Sequence, residues 1–264
     1  MFMRQVDMTR FNLSESTVTK RCDYVAEEVP LRIIVNKVCS FVIWSSPSQF
    51  KELAVGYLFA EGILHNIFEV ESITSNETEN ICQVQFKADI DINCRIENRR
   101  RGTRIVPLIK SSVSAYNHDD KIVTVRSDLT VKAQILLEAI CHINEKAEGF
   151  KKTGGLHDSG LFKADGTMMA FSEDVGRHNT VDKVIGEGLL SQINFAQCFM
   201  IITGRVPGDM IYKVAKAGIP IVASVAAVLN SGISSAKKAN VTLAGFVREN
   251  RMNIYTYPER ILLV

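Results

Sequence analysis

Thr153-Gly154-Gly155-Leu156-His157-Asp158-Ser159-Gly160 and, after a short alternating stretch, Glu173-Asp174-Val175-Gly176-Arg177-His178-Asn179-Thr180-Val181-Asp182-Lys183 are the residues from which the fold is read. Glycine and reactive polar side chains are denser here than packing alone explains. The pattern reads as two polar, glycine-hinged loops flanking a hairpin, Gly160 to Lys163 and Met168 to Phe171, closed by Asp165-Gly166. Gly154-Gly155 lets the backbone approach a ligand and line up amide donors for an anion. Val181, Val184, Ile185 and Leu189 repeat at helical spacing, so a helix over 178–190 begins at the second loop. Gly176, Arg177 and His178 then lie at its N-terminus, where free amides, the helix dipole and a guanidinium favour phosphate or carboxylate. His178 and Asp182 are four apart and are expected to hydrogen-bond along the helix. His157, His178 and Asp182 form the candidate polar site.

Outward from this stretch, strands and helices alternate. A strand is predicted at Cys198 to Thr203, then a helix from Asp209 to Ala217 stopped by Gly218. A strand at Ile219 to Ser224, a helix around Ser231 to Lys238 and a strand at Val241 to Phe246 follow. Upstream, a strand over Lys121 to Arg126 and a helix over 128–147 precede the glycine pair. The alternation implies an α/β fold of three layers, with helices on both faces of a mixed, mainly parallel sheet. Ligands in such sheets bind beyond the carboxyl ends of strands, where Thr203-Gly204-Arg205 falls.

The N-terminal half reads as a smaller α+β unit. Leu31 to Val35 and Val38 to Trp44 form a hairpin about Asn36-Lys37. A helix starting at Ser46-Pro47 turns Phe50, Leu53, Ala54, Tyr57 and Leu58 inward, and Ile81 to Phe86 alternates as a strand. Residues 1–20 read as a loosely attached tail, 21–120 as the small domain and 121–264 as the α/β domain. From Arg95 to Asp120 the periodicity fails, and the run Arg95, Arg99, Arg100, Arg101, Arg104 reads equally as a solvated turn or a phosphate-facing patch.

The 264 residues carry a formal net charge of +2, too mild to suggest nucleic acid as partner. No apolar leader opens the chain, and the apolar run Ile219 to Leu229 is too short to span a bilayer, so a soluble cytoplasmic protein is expected. Six cysteines are scattered with no CxxC pair, which supports neither a disulfide scaffold nor a zinc site. Cys94, beside Arg95, is expected to pack in the core.

The order of elements around His178, with Thr203 and Pro207 on the next strand and turn, is similar to the zinc nucleoside deaminases. Their H-x-E and P-C-x-x-C signatures are replaced here by His178-Asn179-Thr180 and Pro207-Gly208-Asp209-Met210. The resemblance implies a cytidine-deaminase-like fold without zinc. A second resemblance covers most of the chain. Val25 to Leu31, Phe59 to Ile63, Thr153 to His157, Glu173 to Asn179 with Asp182-Lys183, Thr203 to Arg205, Thr242 to Arg248 and Tyr255 to Arg260 resemble the formate dehydrogenase accessory protein family, FdhD. That resemblance implies a dimeric sulfur carrier. It takes sulfur from a cysteine desulfurase and sulfurates the molybdenum bis(molybdopterin guanine dinucleotide) cofactor before its insertion into formate dehydrogenase.

Position by position, the family's cofactor loop corresponds to Val247, Arg248, Glu249, Asn250, Arg251 and Met252, to which Gly154, Gly155, Gly176, Arg177 and Arg205 are added as candidate contacts. Its sulfur-carrying loop falls near Ser111 to Asn117, around Val113 and Tyr116. No cysteine occurs between Cys94 and Cys141, so the relay is lost or moved to another thiol. Pro207-Gly208-Asp209 and Val225 to Asn230 also depart from the family pattern. Two further readings stand beside the sulfur carrier: a non-catalytic chaperone that holds cofactor or client, and a metal-independent nucleotide enzyme using His157, His178 and Asp182.

Overall fold

The computed structural model describes residues 2–102 and 122–263. Its first element corrects the expected tail. β1 (Met3–Asn12) and β2 (Thr17–Ala26) form an antiparallel hairpin running in register from Met3↔Ala26 to Asn12↔Thr17. Both faces of this ribbon are solvated, so neither strand shows the alternation that marks a half-buried strand.

β3 (Val29–Val35) and β4 (Cys39–Ser45) make the expected hairpin. Asn36 and Lys37 both take positive φ, 47° and 58°, the conformation a two-residue turn between right-twisted strands requires. β5 (Val70–Asn76) and β6 (Ile81–Phe86) complete a four-stranded sheet of order β4-β3-β6-β5. Its inner face, with Leu31, Ile33, Val84 and Phe86, packs on α1 (Phe50–Ala60). Where no period was legible, α2 (Ile92–Gly102) is helical. The expected sulfur loop, Val113 and Tyr116 included, and Arg104 lie outside the described residues.

Of the strand predicted from Lys121 to Arg126, the described residues 122–126 form none; Val125 instead donates its backbone amide to Ala239 O. β7 (Val131–Lys132) precedes α3 (Ala133–Lys146), which begins five residues later than its apolar spacing suggested because Val131 is used in a strand beside β14 (Ile261–Leu262). α4 (Glu148–Thr153) then absorbs Lys151 to Thr153. β8 (His157–Lys163) and β9 (Met168–Asp174) are longer than expected and carry the polar residues in the strands themselves. α5 (Arg177–Leu190), β10 (Cys198–Ile202), α6 (Gly208–Ala217), β11 (Ile221–Ser224), α7 (Asn230–Ala239) and β12 (Thr242–Arg248) follow as alternation predicted, and β13 (Arg251–Thr256), which alternation did not predict, pairs antiparallel with β12.

The six strands order β13-β12-β11-β10-β8-β9. Only β10–β11 and β11–β12 are parallel, while β8–β9, β8–β10 and β12–β13 are antiparallel. The sheet is therefore mixed and not mainly parallel; the tight Asp165-Gly166 and Glu249-Asn250 turns leave no room for crossovers. Alternate residues divide the core. Phe199, Ile201 and Ile221 meet Leu136, Ala139 and Ile143 of α3 on one face. Met200, Ile202 and Val222 meet α5 and α6 on the other, in a core that continues through α1 into the N-terminal sheet. α1 and α5 touch backbone to backbone, since a Cβ on Gly186 would stand 1.9 Å from Glu52 O.

Candidate functional site

β8 runs antiparallel to β10, so the first residues of β8 meet the last of β10 in the pairing Ser159↔Ile202. The N-terminal end of β8, the C-terminal ends of β9, β10, β11 and β12, and the starts of α5, α6 and α7 consequently share one edge of the sheet. His157, Gly176, Arg177, His178, Thr203, Arg205 and the turn from Val247 to Met252 all stand there.

His157 is half-buried at this edge. Its pKa is lowered by burial first, then by the Arg177 and Arg205 cations, which keeps the imidazole neutral near pH 7. Gly176 is the N-cap of α5 and places Arg177 at the first helical position. The Arg177 stem lies along Gly204, where a Cβ would come within 2.9 Å of Arg177 Cβ, so the glycine is what admits the guanidinium. Arg177 Nε is buried with no hydrogen-bond partner among the described residues. Arg205 is exposed. Thr203 Oγ1 accepts the Asp158 amide at 2.8 Å and ties β10 to β8 at this corner.

The expected His178–Asp182 bond is replaced by two others. His178 Nε2 lies 3.1 Å from Asp209 Oδ2 on α6, and Asp182 Oδ2 accepts Lys213 Nζ at 2.5 Å. Burial raises Asp182 while Lys213 opposes the shift. Asp182 is thus a core residue between α5 and α6 and does not join the edge. Burial is the largest single influence on Asp209 and disfavours its ionised form, but the hydrogen bond and charge of His178, the Met210 amide and the Lys213 cation together outweigh it and hold the carboxyl below its ordinary range. Asp209, 31 positions from His178, is the functional neighbour that sequence spacing missed; its place in the first turn of a helix after Thr203-Gly204-Arg205 was the available signal.

The glycine pair also differs from expectation. Gly154, at φ 63°, ends α4 and donates its amide to Phe150 O at 2.7 Å. Gly155 donates to Thr153 Oγ1 at 3.1 Å. Both amides are spent on stopping the helix, so they make no anion concavity. Val247 is buried in the core, whereas Arg248, Glu249, Asn250 and Arg251 form an exposed turn and Met252 is half-buried. Three strand spacings, about 14 Å, separate β12 from β8. Arg95 is engaged within the fold: it forms a bidentate pair with Glu69 at 2.7 and 2.9 Å and donates to Ile63 O.

Cys94 is exposed, contrary to the core role expected of it, as are Cys22 and Cys141; Cys82 and Cys198 are buried. Burial pushes the Cys82 thiol up to about 12. Among the described residues no group of three or more His, Cys, Asp or Glu is placed to hold a metal ion, and no helix is long and apolar enough to cross a membrane. A cavity of about 490 Å³ lies at the opposite edge of the sheet, lined by Lys163, Met169, Gln192 and Cys198. It shares none of the convergent charges, so the edge with Arg177 is the candidate site.

The FdhD/NarQ family model matches residues 26–262. The chain belongs to that family. The sulfur carrier protein FdhD of Saccharolobus solfataricus is 36% identical over 266 residues, covering 97% of this chain and 99% of the relative. That of Methanothermobacter thermautotrophicus is 33% identical, covering 98% of each. The crystal structure of a Desulfotalea psychrophila protein described as a formate dehydrogenase accessory protein superposes with a TM-score of 0.81 at 23% identity, covering 99% of this chain and 100% of that one, and shares its fold.

Proposed function

We propose that this protein is a formate dehydrogenase accessory protein of the FdhD sulfur-carrier class. It receives sulfur from a cysteine desulfurase and presents it to the molybdenum bis(molybdopterin guanine dinucleotide) cofactor, which is its cargo. The observation that carries the reading is the near end-to-end similarity to sulfur carrier proteins FdhD, 97% of this chain against 99% of the relative. The edge chemistry fits the cargo. The buried Arg177 Nε is unspent among the described residues and Arg205 is exposed beside it, a pair suited to a pyrophosphate. Arg248 and Arg251, in the β12–β13 turn farther along the same edge, suit an elongated dinucleotide ligand rather than a single phosphate. Neutral His157 adds a hydrogen-bonding group without further charge.

Sulfur transfer sets its own requirement. A thiolate of this chain must attack the outer sulfur of the desulfurase persulfide, forming a new persulfide here and leaving the desulfurase thiolate. The buried Cys82 and Cys198 are unsuited to this, which leaves the exposed Cys22, Cys94 and Cys141 ahead of the half-buried Cys39. Cys94 stands nearest in sequence to the position of the family's sulfur loop.

The test is peptide mass spectrometry after incubation with a cysteine desulfurase and cysteine, beside a CxxC-containing relative. The expected result is an adduct of about 32 Da, one sulfur, on a single exposed cysteine. Its replacement by serine then abolishes activation of formate dehydrogenase in a strain lacking its own accessory protein. A labelled relative and no adduct here would remove sulfur carriage and leave holding of cofactor or client as the role.

A further inference from the structure

Asp174, the last residue of β9, carries more hydrogen bonds than ending a strand requires. It is fully buried. Its Oδ2 accepts the Ser46 amide at 3.0 Å and pairs with Lys183 Nζ at 2.6 Å. Its Oδ1 accepts the Gly176 amide and Asn179 Nδ2, both at 2.8 Å. The other proton of Asn179 Nδ2 goes to Trp44 O at 2.8 Å, and Ser46 Oγ accepts the Val175 amide at 3.1 Å. Asn179 also fills the space beside Gly176, where a Cβ would stand 2.8 Å from its Nδ2.

Both amides that lead into α5, those of Val175 and Gly176, are therefore held by one buried cluster. Half of that cluster, Trp44 and Ser46, comes from the corner between β4 and α1, 128 positions from Asp174. We propose that Asp174, Asn179 and Ser46 are positioning residues through which the N-terminal sheet sets the turn that aims Arg177 at its ligand. The proposal rests on Arg177 being a ligand contact, as argued above. Charge-assisted hydrogen bonds in a buried site hold one geometry because every alternative leaves a buried donor unpaired. A shift of the β4–α1 corner thus moves the Arg177 turn, and occupancy of the edge is transmitted back to Trp44. Trp44 is the sole tryptophan and is 49% exposed, so its emission reports that coupling.

The experiment compares the wild-type protein, Asn179→Ala and Val84→Ala, the last a core substitution of the N-terminal sheet that touches none of these residues. Amide exchange over residues 174–178 is measured without ligand, and guanosine diphosphate is titrated by calorimetry and by Trp44 emission. Asn179→Ala, which removes two buried hydrogen bonds, is expected to speed exchange in the turn and weaken nucleotide binding, each about tenfold or more. It also abolishes the emission change, while Val84→Ala leaves exchange and affinity within about twofold of wild type. Unchanged exchange in Asn179→Ala, or equal loosening in Val84→Ala, would overturn the proposal. Should Asn179→Ala not fold, Ser46→Ala, which removes only the acceptor of the Val175 amide, must give a smaller change in the same direction. A wild-type protein that does not bind guanosine diphosphate refutes the ligand reading alone, and the exchange measurement still decides the positioning role.

Discussion

Lys213 and Lys183 are both buried ammonium groups, and each is matched to a single buried carboxylate, Asp182 and Asp174. Removing one partner leaves an uncompensated charge where water cannot reach it, which costs about 3–5 kcal/mol. Lys213→Met is expected to lower stability to urea by that amount, and the double substitution Asp182→Leu with Lys213→Met to recover most of it. Asp158 is poised differently. Burial, then the neighbouring Glu173 carboxylate, raises it from 3.8 to about 7. The folded state therefore holds this proton more tightly than the unfolded chain. The stability it contributes is full below pH of about 3.8 and is lost as pH rises toward about 7. Asp158→Asn should flatten the stability curve between those limits; an unchanged slope would show that another group carries it. Glu69 has the opposite sign. Held at about 2 chiefly by its hydrogen bonds from Arg95, it stabilises the fold above its ordinary 4.5 and loses that contribution as pH falls toward about 2.

The helices were the most legible elements. α5, α6 and α7 each show an apolar stripe, and α6 stops at Gly218, whose φ of 84° suits glycine. The β1–β2 hairpin was not legible, because a ribbon with two wet faces has no buried period to display. The α1–α5 contact was equally hidden, since it is made by absent side chains. A Cβ on Gly186 would meet Glu52 O at 1.9 Å, and one on Gly56 would meet Asp182 O at 1.8 Å. Gly186→Ala must push the helices apart and is expected to cost about 3 kcal/mol or more in thermal or urea unfolding. Gly154 meets nothing within 4 Å and is constrained only by its φ of 63°. Gly154→Ala should therefore cost only about 1–2 kcal/mol, and equal losses from the two substitutions would refute the close helix contact.

Across the whole molecule, one core runs from Leu31 in the N-terminal sheet to Leu243 in the C-terminal one. Two halves that share a core through α1 and α5 are expected to unfold together. Trp44 emission, which reports the N-terminal sheet, and far-ultraviolet circular dichroism, dominated by the larger C-terminal half, should then give coincident urea transitions. Separate midpoints would show that the halves are independent domains. The same continuity explains why the Arg177 turn leans on Trp44 and Ser46 at the end of the N-terminal sheet as well as on its own Asp174 and Asn179.

Hydrophobic period and punctuation are local properties. From them alone the chain determined its alternation of strands and helices, the helix over 178–190, the turns at Asn36-Lys37 and Asp165-Gly166, and the motif resemblance to its family. Buried polar partners are not local. His178 found Asp209 31 positions away, and Asp174 found Ser46 at 128, because a buried charge takes whichever opposite charge or amide the packing brings to it. Strand direction was likewise settled only when the tight turns and the shared core closed. The tertiary structure alone therefore separated the residues that face the edge, His157, Arg177 and Arg205, from Asp182, which is held in the core, and from Gly154 and Gly155, which stop α4.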